Sequence, residues 1–207
     1  MKVTAINGSP HKNGNTYTML EAMCGELAKN NIDTEIIHIG KELIRGCVAC
    51  GSCAASGDRR CVFDDDPVNE TADKMRQSDG FILGSPVYYG GITGTMKSFL
   101  DRTFYTSSAF FKSKVAAGVV VARRSGGTNA VHQLNNYLTL AGIITPPSRY
   151  WAAVHGRTPG EAALDLEGMQ TVRDIARDMA WLLEVIKSGK DIPAPKYEDK
   201  IATNFIR

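Results

Sequence analysis

The 207-residue sequence has no apolar run long enough to cross a bilayer as a helix, which removes a membrane-spanning reading. It has little net charge, +2, and no dense basic stripe, so nucleic acid is not an expected partner. It lacks the GxxxxGK(S/T) and GxGxxG motifs, and with them the usual signatures of nucleoside-triphosphate and dinucleotide cradles. Its four histidines, His11, His38, His132 and His155, show no HExxH spacing, and there is no GxSxG elbow, so no hydrolytic reading survives. No leader precedes the first apolar run, and a cytoplasmic location is therefore expected. What remains is 43% apolar and 22% charged, the composition of a globular chain with a sizeable core.

Apolar runs alternate with helical patterns nearly to the end of the chain. Strands are expected over residues 2–6, 34–39, 80–83 and 114–122, and helices from Thr16, from Pro67 with Asp66 as N-cap, from the segment after Gly91, after Thr128, and over 164–187. The fifth strand falls either on Ile143 and Ile144 or on residues 150–154, because Pro146 and Pro147 interrupt the run. Such alternation predicts an α/β domain over 1–190, a parallel sheet with helices on both faces, followed by a C-terminal extension over 191–207. That extension reads as an arm or as disorder.

Ligands bind such sheets beyond the carboxyl ends of the strands. The first strand runs into Asn7-Gly8-Ser9-Pro10-His11-Lys12-Asn13-Gly14-Asn15-Thr16, a loop of small polar residues opening a helix. The first N–H groups of a helix lack intrahelical partners and carry the positive end of its dipole, so this loop is a candidate anion cradle. Two more distinctive loops follow strands three and four: Gly84-Ser85-Pro86-Val87-Tyr88-Tyr89-Gly90-Gly91 and Arg123-Arg124-Ser125-Gly126-Gly127-Thr128. In the strand order 2-1-3-4-5 these three strands are adjacent and their loops converge. For Arg123 and Arg124, a solvated pair and a nucleotide-phosphate role stand level. His155, near Trp151 and Gly156, reads as a satisfied structural histidine.

Of the five cysteines, Cys24 shares helical spacing with Met19, Leu20, Met23 and Leu27 and reads as core packing. The other four crowd into a loop over 46–63 as Cys47-x2-Cys50-x2-Cys53-x7-Cys61. Such a cluster suggests metal or redox chemistry more than structural disulfides. Four thiolates at this spacing can hold a four-iron cluster or a closed zinc site, or stay as free thiols or a labile disulfide. The acidic run Asp64, Asp65 and Asp66 reads as capping and charging the next helix.

Together, the three strand-end loops resemble those of the flavodoxin-like NAD(P)H-dependent FMN reductases, over nearly the whole chain. The resemblance implies a flavodoxin-like three-layer sandwich with a five-stranded parallel sheet in the order 2-1-3-4-5, and FMN held without a covalent link. It places Ser9, His11, Asn13, Asn15 and Thr16 on the FMN phosphate, His11 standing where many relatives carry arginine. It places Pro86, Val87, Tyr88, Tyr89 and Gly90 along the isoalloxazine ring, and Ser125, Gly126 and Gly127 at its pyrimidine end. The cysteine loop is similar to the compact motif of the iron–sulfur flavoproteins, which implies a 4Fe–4S cluster on Cys47, Cys50, Cys53 and Cys61. It departs from bacterial ferredoxins in its longer last gap and in having Val62 rather than proline after Cys61.

The resemblance implies a homodimer or homotetramer, and two activities. One is NAD(P)H-dependent reduction of quinones, flavins or other small acceptors by hydride transfer through FMN. The other is electron transfer between a ferredoxin-type partner and FMN. In both the flavin carries the chemistry, so no catalytic side chain is expected.

Overall fold

The computed structural model describes residues 1–193, 195–199, 201–203 and 205. In chain order the elements are β1 (Lys2–Asn7), α1 (Asn15–Ala28), β2 (Asp33–His38), a single turn of helix α2 (Ser52–Ala55), α3 (Val68–Gln77), β3 (Gly80–Pro86), α4 (Gly94–Phe111), β4 (Val115–Ala122), α5 (Gly127–Leu140), β5 (Ala153–His155), a 3-10 turn (Glu161–Leu164) and α6 (Leu166–Ser188). All strand pairs are parallel, in the order β2-β1-β3-β4-β5. This is the parallel sheet expected from the alternating pattern, in the flavodoxin-like order that the resemblance implies.

The three central strands are covered on both faces and are largely apolar for that reason, with Thr4, Asn7 and Ser85 as buried polar exceptions. Every residue of β4 is buried, as are all but the last of β3 and all but the first of β1. Helices α1 and α6 pack together on one face, and α3 and α4 pack on the other. Phe104 of α4 meets Tyr137 of α5 at 5.1 Å between ring centroids, which sets α5 beside α4, and Phe81 and Phe111 complete that aromatic cluster.

Several boundaries move from their expected places. Gly84, Ser85 and Pro86 belong to β3 and pair with Val119, Val120 and Val121, so the loop after it starts later than the glycine and proline suggest. Pro86 is tolerated because it ends the strand. Pro67 precedes the regular part of α3, and Asp66 Oδ1 still accepts from Val68 N at 3.1 Å. The fifth strand uses both halves of the ambiguous stretch. Ile144 bridges to Val115, the chain then leaves the sheet at Pro146, which has no N–H to offer, and it returns as β5 at Ala153. Of the C-terminal extension, Ala194, Lys200, Asn204, Ile206 and Arg207 lie outside the described residues; the described ones beyond Gly189 carry no helix or strand.

The edge strand β2 does more than close the sheet. Its last residue, His38, donates from Nε2 to Ser9 O at 2.7 Å. Gly40, two residues on, lies so close to the first loop that a Cβ there would stand 1.9 Å from Ser9 O. No side chain can occupy that space unless the backbone moves. Gly40→Ala is expected to cost about 3 kcal/mol, roughly 6–12 °C in melting temperature at this chain length. A wild-type melting temperature would contradict this close approach.

Candidate functional site

The loop after β1 is held from beneath by its own side chains. Asn7 is fully buried; its Oδ1 accepts from Ser9 N at 3.0 Å and its Nδ2 donates to Lys12 O at 3.1 Å. Ser9 Oγ accepts from His11 N at 3.2 Å. Gly8 donates to Gly84 O at 2.8 Å, and Gly8 O accepts from Thr93 Oγ1 at 3.1 Å. The loop is thereby fixed to β3 and to the start of α4. Helix α1 opens with Gly14 as N-cap, without a side-chain cap and without an acid in its first turn. Its positive end therefore faces the loop uncompensated, which suits an anion.

A cavity of about 330 Å³ sits over this helix end. Ser9 and His11 line it from the first loop, Asn15 and Thr16 from the start of α1, and Pro86, Val87 and Tyr88 from the end of β3 and the loop beyond it. Arg123, Gly156, Arg157 and Pro159 complete the wall. Asn13, Tyr89 and Gly90 are not among the lining residues. Asn15 lines the cavity but its amide is already engaged: Nδ2 donates to Thr158 O at 2.9 Å and Oδ1 accepts from Ala162 N at 3.1 Å. Asn15 thus ties the segment after β5 to the helix end, and its backbone N–H is the group left for a phosphate. Arg157 was not among the residues singled out in the sequence; it comes into view only once β5 is placed, because it follows that strand as Ser9 follows β1.

The loop after β3 is a tight hairpin. Tyr88 and Gly91 exchange both backbone hydrogen bonds, at 2.8 and 2.9 Å, around Tyr89 and Gly90 at φ of 50° and 76°. A left-handed tyrosine costs about 1–2 kcal/mol, and such strain concentrates at functional sites. Tyr89 projects fully into solvent from the tip. Helix α5 holds this hairpin: Asn129 Nδ2 donates to Gly90 O at 2.7 Å and Gln133 Oε1 accepts from Ile92 N at 3.0 Å. Gly126, at φ of 90°, lies so close that a Cβ there would stand 2.9 Å from Gly90 Cα. The loops after β3 and β4 are therefore in contact. Ser125, Gly126 and Gly127 face a neighbouring cavity of about 320 Å³, walled also by Arg124, Trp151 and His155.

His155 is satisfied, as expected from sequence, but it is not enclosed. Its side chain is half exposed, and its Nδ1 stands 3.2 Å from Asp165 Oδ2. Burial alone would push Asp165 up, but N–H groups of Gly168 and His155 hold its carboxyl below the usual range.

These residues fit FMN. An uncompensated helix end, Ser9 and two arginines suit its phosphate, and a proline, a valine and a tyrosine lining the same cavity suit its ring.

The four clustered cysteines lie elsewhere, in the loop between β2 and α3. All four line one cavity of about 200 Å³, closed by Phe63 and by Arg102, Tyr105 and Thr106 of α4. Cys47 and Cys50 are exposed, Cys53 and Cys61 half buried, and no disulfide joins them. Hydrogen bonds from Ser52 hold the Cys50 thiol below its ordinary pKa. Cys61 is the anchored member. Asn69, itself buried, accepts from Cys61 N and donates to Cys61 O, both at 2.9 Å. Among the described residues no three histidine, cysteine, aspartate or glutamate side chains stand close enough to share a metal ion. The donor set and the common cavity suit an all-thiolate cluster, while the sulfurs are not drawn together beforehand. Of the acidic run, Asp66 sits one residue ahead of the N-cap position, which Pro67 takes without a side-chain cap; one Asp66 oxygen accepts from Val68 N and the other pairs with Arg102.

The segment that walls the first cavity has its own acid-sensitive tie. Glu161 accepts from Thr158 Oγ1 at 2.6 Å and from the N–H groups of Arg157 at 2.6 Å and Thr158 at 3.0 Å. These bonds, the Thr158 hydroxyl first, bring its carboxyl down to about 2. A depressed folded-state pKa gives stability that is present above about 4.5 and lost as pH falls toward 2. The difference in melting temperature between wild type and Glu161→Gln is therefore expected to be constant from pH 7 to 5 and to vanish by about pH 2. A difference that persists at pH 2 would show that the charge is not what holds this segment.

Comparison with known proteins agrees with this arrangement. Residues 1–158 match the family model described as NADPH-dependent FMN reductase. An iron–sulfur flavoprotein of Methanocaldococcus jannaschii is 33% identical over 195 residues, spanning 90% of this chain and all of that protein. A second, from Methanosarcina thermophila, is 31% identical over 195 residues, spanning 92% of this chain and all of that protein. Among solved structures, RosB with a bound 8-demethyl-8-formylriboflavin-5'-phosphate intermediate superposes with a TM-score of 0.71 at 15% identity, over all of this chain and 93% of that one, a likeness of fold. With its flavodoxin-like sheet and its strand-end loops, the chain belongs to the NADPH-dependent FMN reductase family, the FMN-binding oxidoreductases.

Proposed function

We propose that this protein is an electron-transfer flavoprotein of the iron–sulfur type, with FMN at the carboxyl edge of the sheet, a 4Fe–4S cluster on Cys47, Cys50, Cys53 and Cys61, and a ferredoxin-type electron partner. One observation carries this reading: all four cysteines line a single cavity, away from the strand-end loops, with a buried arginine as its floor. The names of the two relatives, matched over nearly their whole length, point the same way. FMN would supply one- and two-electron chemistry at its ring, and the cluster one-electron exchange.

The roles of the protein's groups follow from their chemistry. The N–H groups at the start of α1, with Ser9, His11 and Thr16, would hold the phosphate, and Arg123 and Arg157 would add positive charge at the same end. Pro86, Val87 and Tyr88 would pack on the ring and keep water from it, and Tyr89 and Gly90 would turn the hairpin that carries Tyr88. The N–H groups around Ser125, Gly126 and Gly127 would stabilise negative charge as the ring is reduced.

A second reading has its own support. The family description names NADPH, and the cavity bordered by Arg124, Trp151 and His155 adjoins the glycines assigned to the flavin. In that reading NAD(P)H delivers hydride to the flavin and a quinone, free flavin or other small acceptor takes the electrons in turn. A homodimer or homotetramer is compatible with both.

Anaerobic purification with iron and sulfide assays, then rapid mixing with NADH, NADPH or a reduced ferredoxin, separates the two. The electron-transfer reading expects about four irons per FMN and flavin reduction by ferredoxin faster than by either nucleotide. Flavin bands without iron, together with rapid oxidation of NADPH, would overturn it and leave the nucleotide-dependent reductase.

A further inference from the structure

Arg102 lies in the middle of α4, on the stripe that also carries Phe99, Thr103 and Thr106, and its side chain is 1% exposed. A buried guanidinium is costly, and a buried ion pair is seldom more stable than the apolar side chains it replaces. Stability of α4 therefore does not account for an arginine here. Its contacts do. Nη1 pairs with Asp66, whose side chain is 4% exposed, and lies 3.5 Å from Arg45 O. Nη2 donates to Phe63 O at 2.8 Å. Nε donates to Cys61 Sγ at 3.2 Å. One planar fork thus reaches the chain two residues before Cys47 and two residues after Cys61, and gives its remaining N–H to a cysteine sulfur. The Phe63 ring lies 5.6 Å from the guanidinium carbon.

We propose that Arg102 is a positioning residue for the cysteine site, holding the two ends of the loop together and setting the reduction potential of a cluster through its N–H bond to Cys61 Sγ. The proposal rests on the cluster reading of the four cysteines. An N–H donor on a ligand thiolate draws electron density from the sulfur and favours the reduced cluster, so it raises the potential. Asp66 leaves the charge beneath the site near zero, so that the directed bond, rather than a net positive charge, is what the sulfur meets. Asn69 supports this by clasping the backbone of Cys61, which fixes the sulfur against Nε. Lysine could keep the charge but not the fork.

The test uses full-length protein, loaded with iron and FMN under anaerobic conditions and titrated with dithionite while the cluster is followed by electron paramagnetic resonance and the flavin by absorbance. Two variants keep the local charge balance: Arg102→Lys, and the double variant Arg102→Met with Asp66→Asn, which leaves no buried charge unpaired. Both are expected to retain FMN and four irons. The cluster midpoint should move to more negative potential, further in the double variant than in Arg102→Lys, with the flavin midpoint unchanged. An unchanged cluster midpoint in either four-iron variant would overturn the proposal. So would a variant that keeps FMN but takes up no iron, which would make Arg102 a scaffold residue alone. Wild-type protein that binds FMN but no iron would overturn the cluster reading itself, an outcome distinct from the other two.

Discussion

A parallel sheet buried on both faces leaves its backbone no free polar groups except at its edges and ends, and its strands must all enter and leave in the same sense. Every connection then crosses over through a helix, and the loops at the carboxyl ends collect on one side. Here that constraint brings the ends of β1, β3, β4 and β5 within reach of a single ligand. Those loops are built to be held rather than to move. Buried Asn7 shapes the first from inside, His38 and Gly40 press on it from the edge strand, and two amides of α5 hold the hairpin after β3. The uncompensated end of α1 can serve an anion only because these contacts keep its surroundings fixed.

The cysteine loop follows a different logic. It hangs between the edge strand and α3, where no sheet register fixes it, and three of its cysteines sit on a segment with few ties. Cys61 is the most firmly held, by Asn69 along its backbone and by Arg102 at its sulfur. One prearranged thiol with three adaptable ones suits a group whose binding itself orders the loop. The proposed flavin site is formed in advance, whereas the cysteine site would be completed by what it binds.

Most of the architecture could be read from the chain because each element carried a local signal. The apolar runs of β3 and β4, the glycine-rich first loop and the periodicity of α6 each point to one structure. The fifth strand is ambiguous in sequence because it is short and Pro146 and Pro147 interrupt the run before it, and without its placement Arg157, two residues beyond it, carries no signal. Asn15 reads as a phosphate donor, yet its amide serves a segment more than 140 residues away, a tertiary choice with no local trace. Arg102 and Asn69 also went unseen. An arginine three residues after Phe99, on the helix face that packs inward, is the available signal, but only a folded chain shows that it lies beneath Cys61.

The account stands or falls on the end of α1 being the phosphate end of a flavin site. The most direct measurement is the affinity of the flavin-free protein for FMN set against riboflavin, which differ only in the phosphate. If the helix end, Ser9 and the neighbouring arginines hold that group, FMN should bind at least about 100-fold more tightly, ~2.7 kcal/mol. The preference should also weaken as salt is added. Equal affinities for the two flavins would contradict the account at its centre.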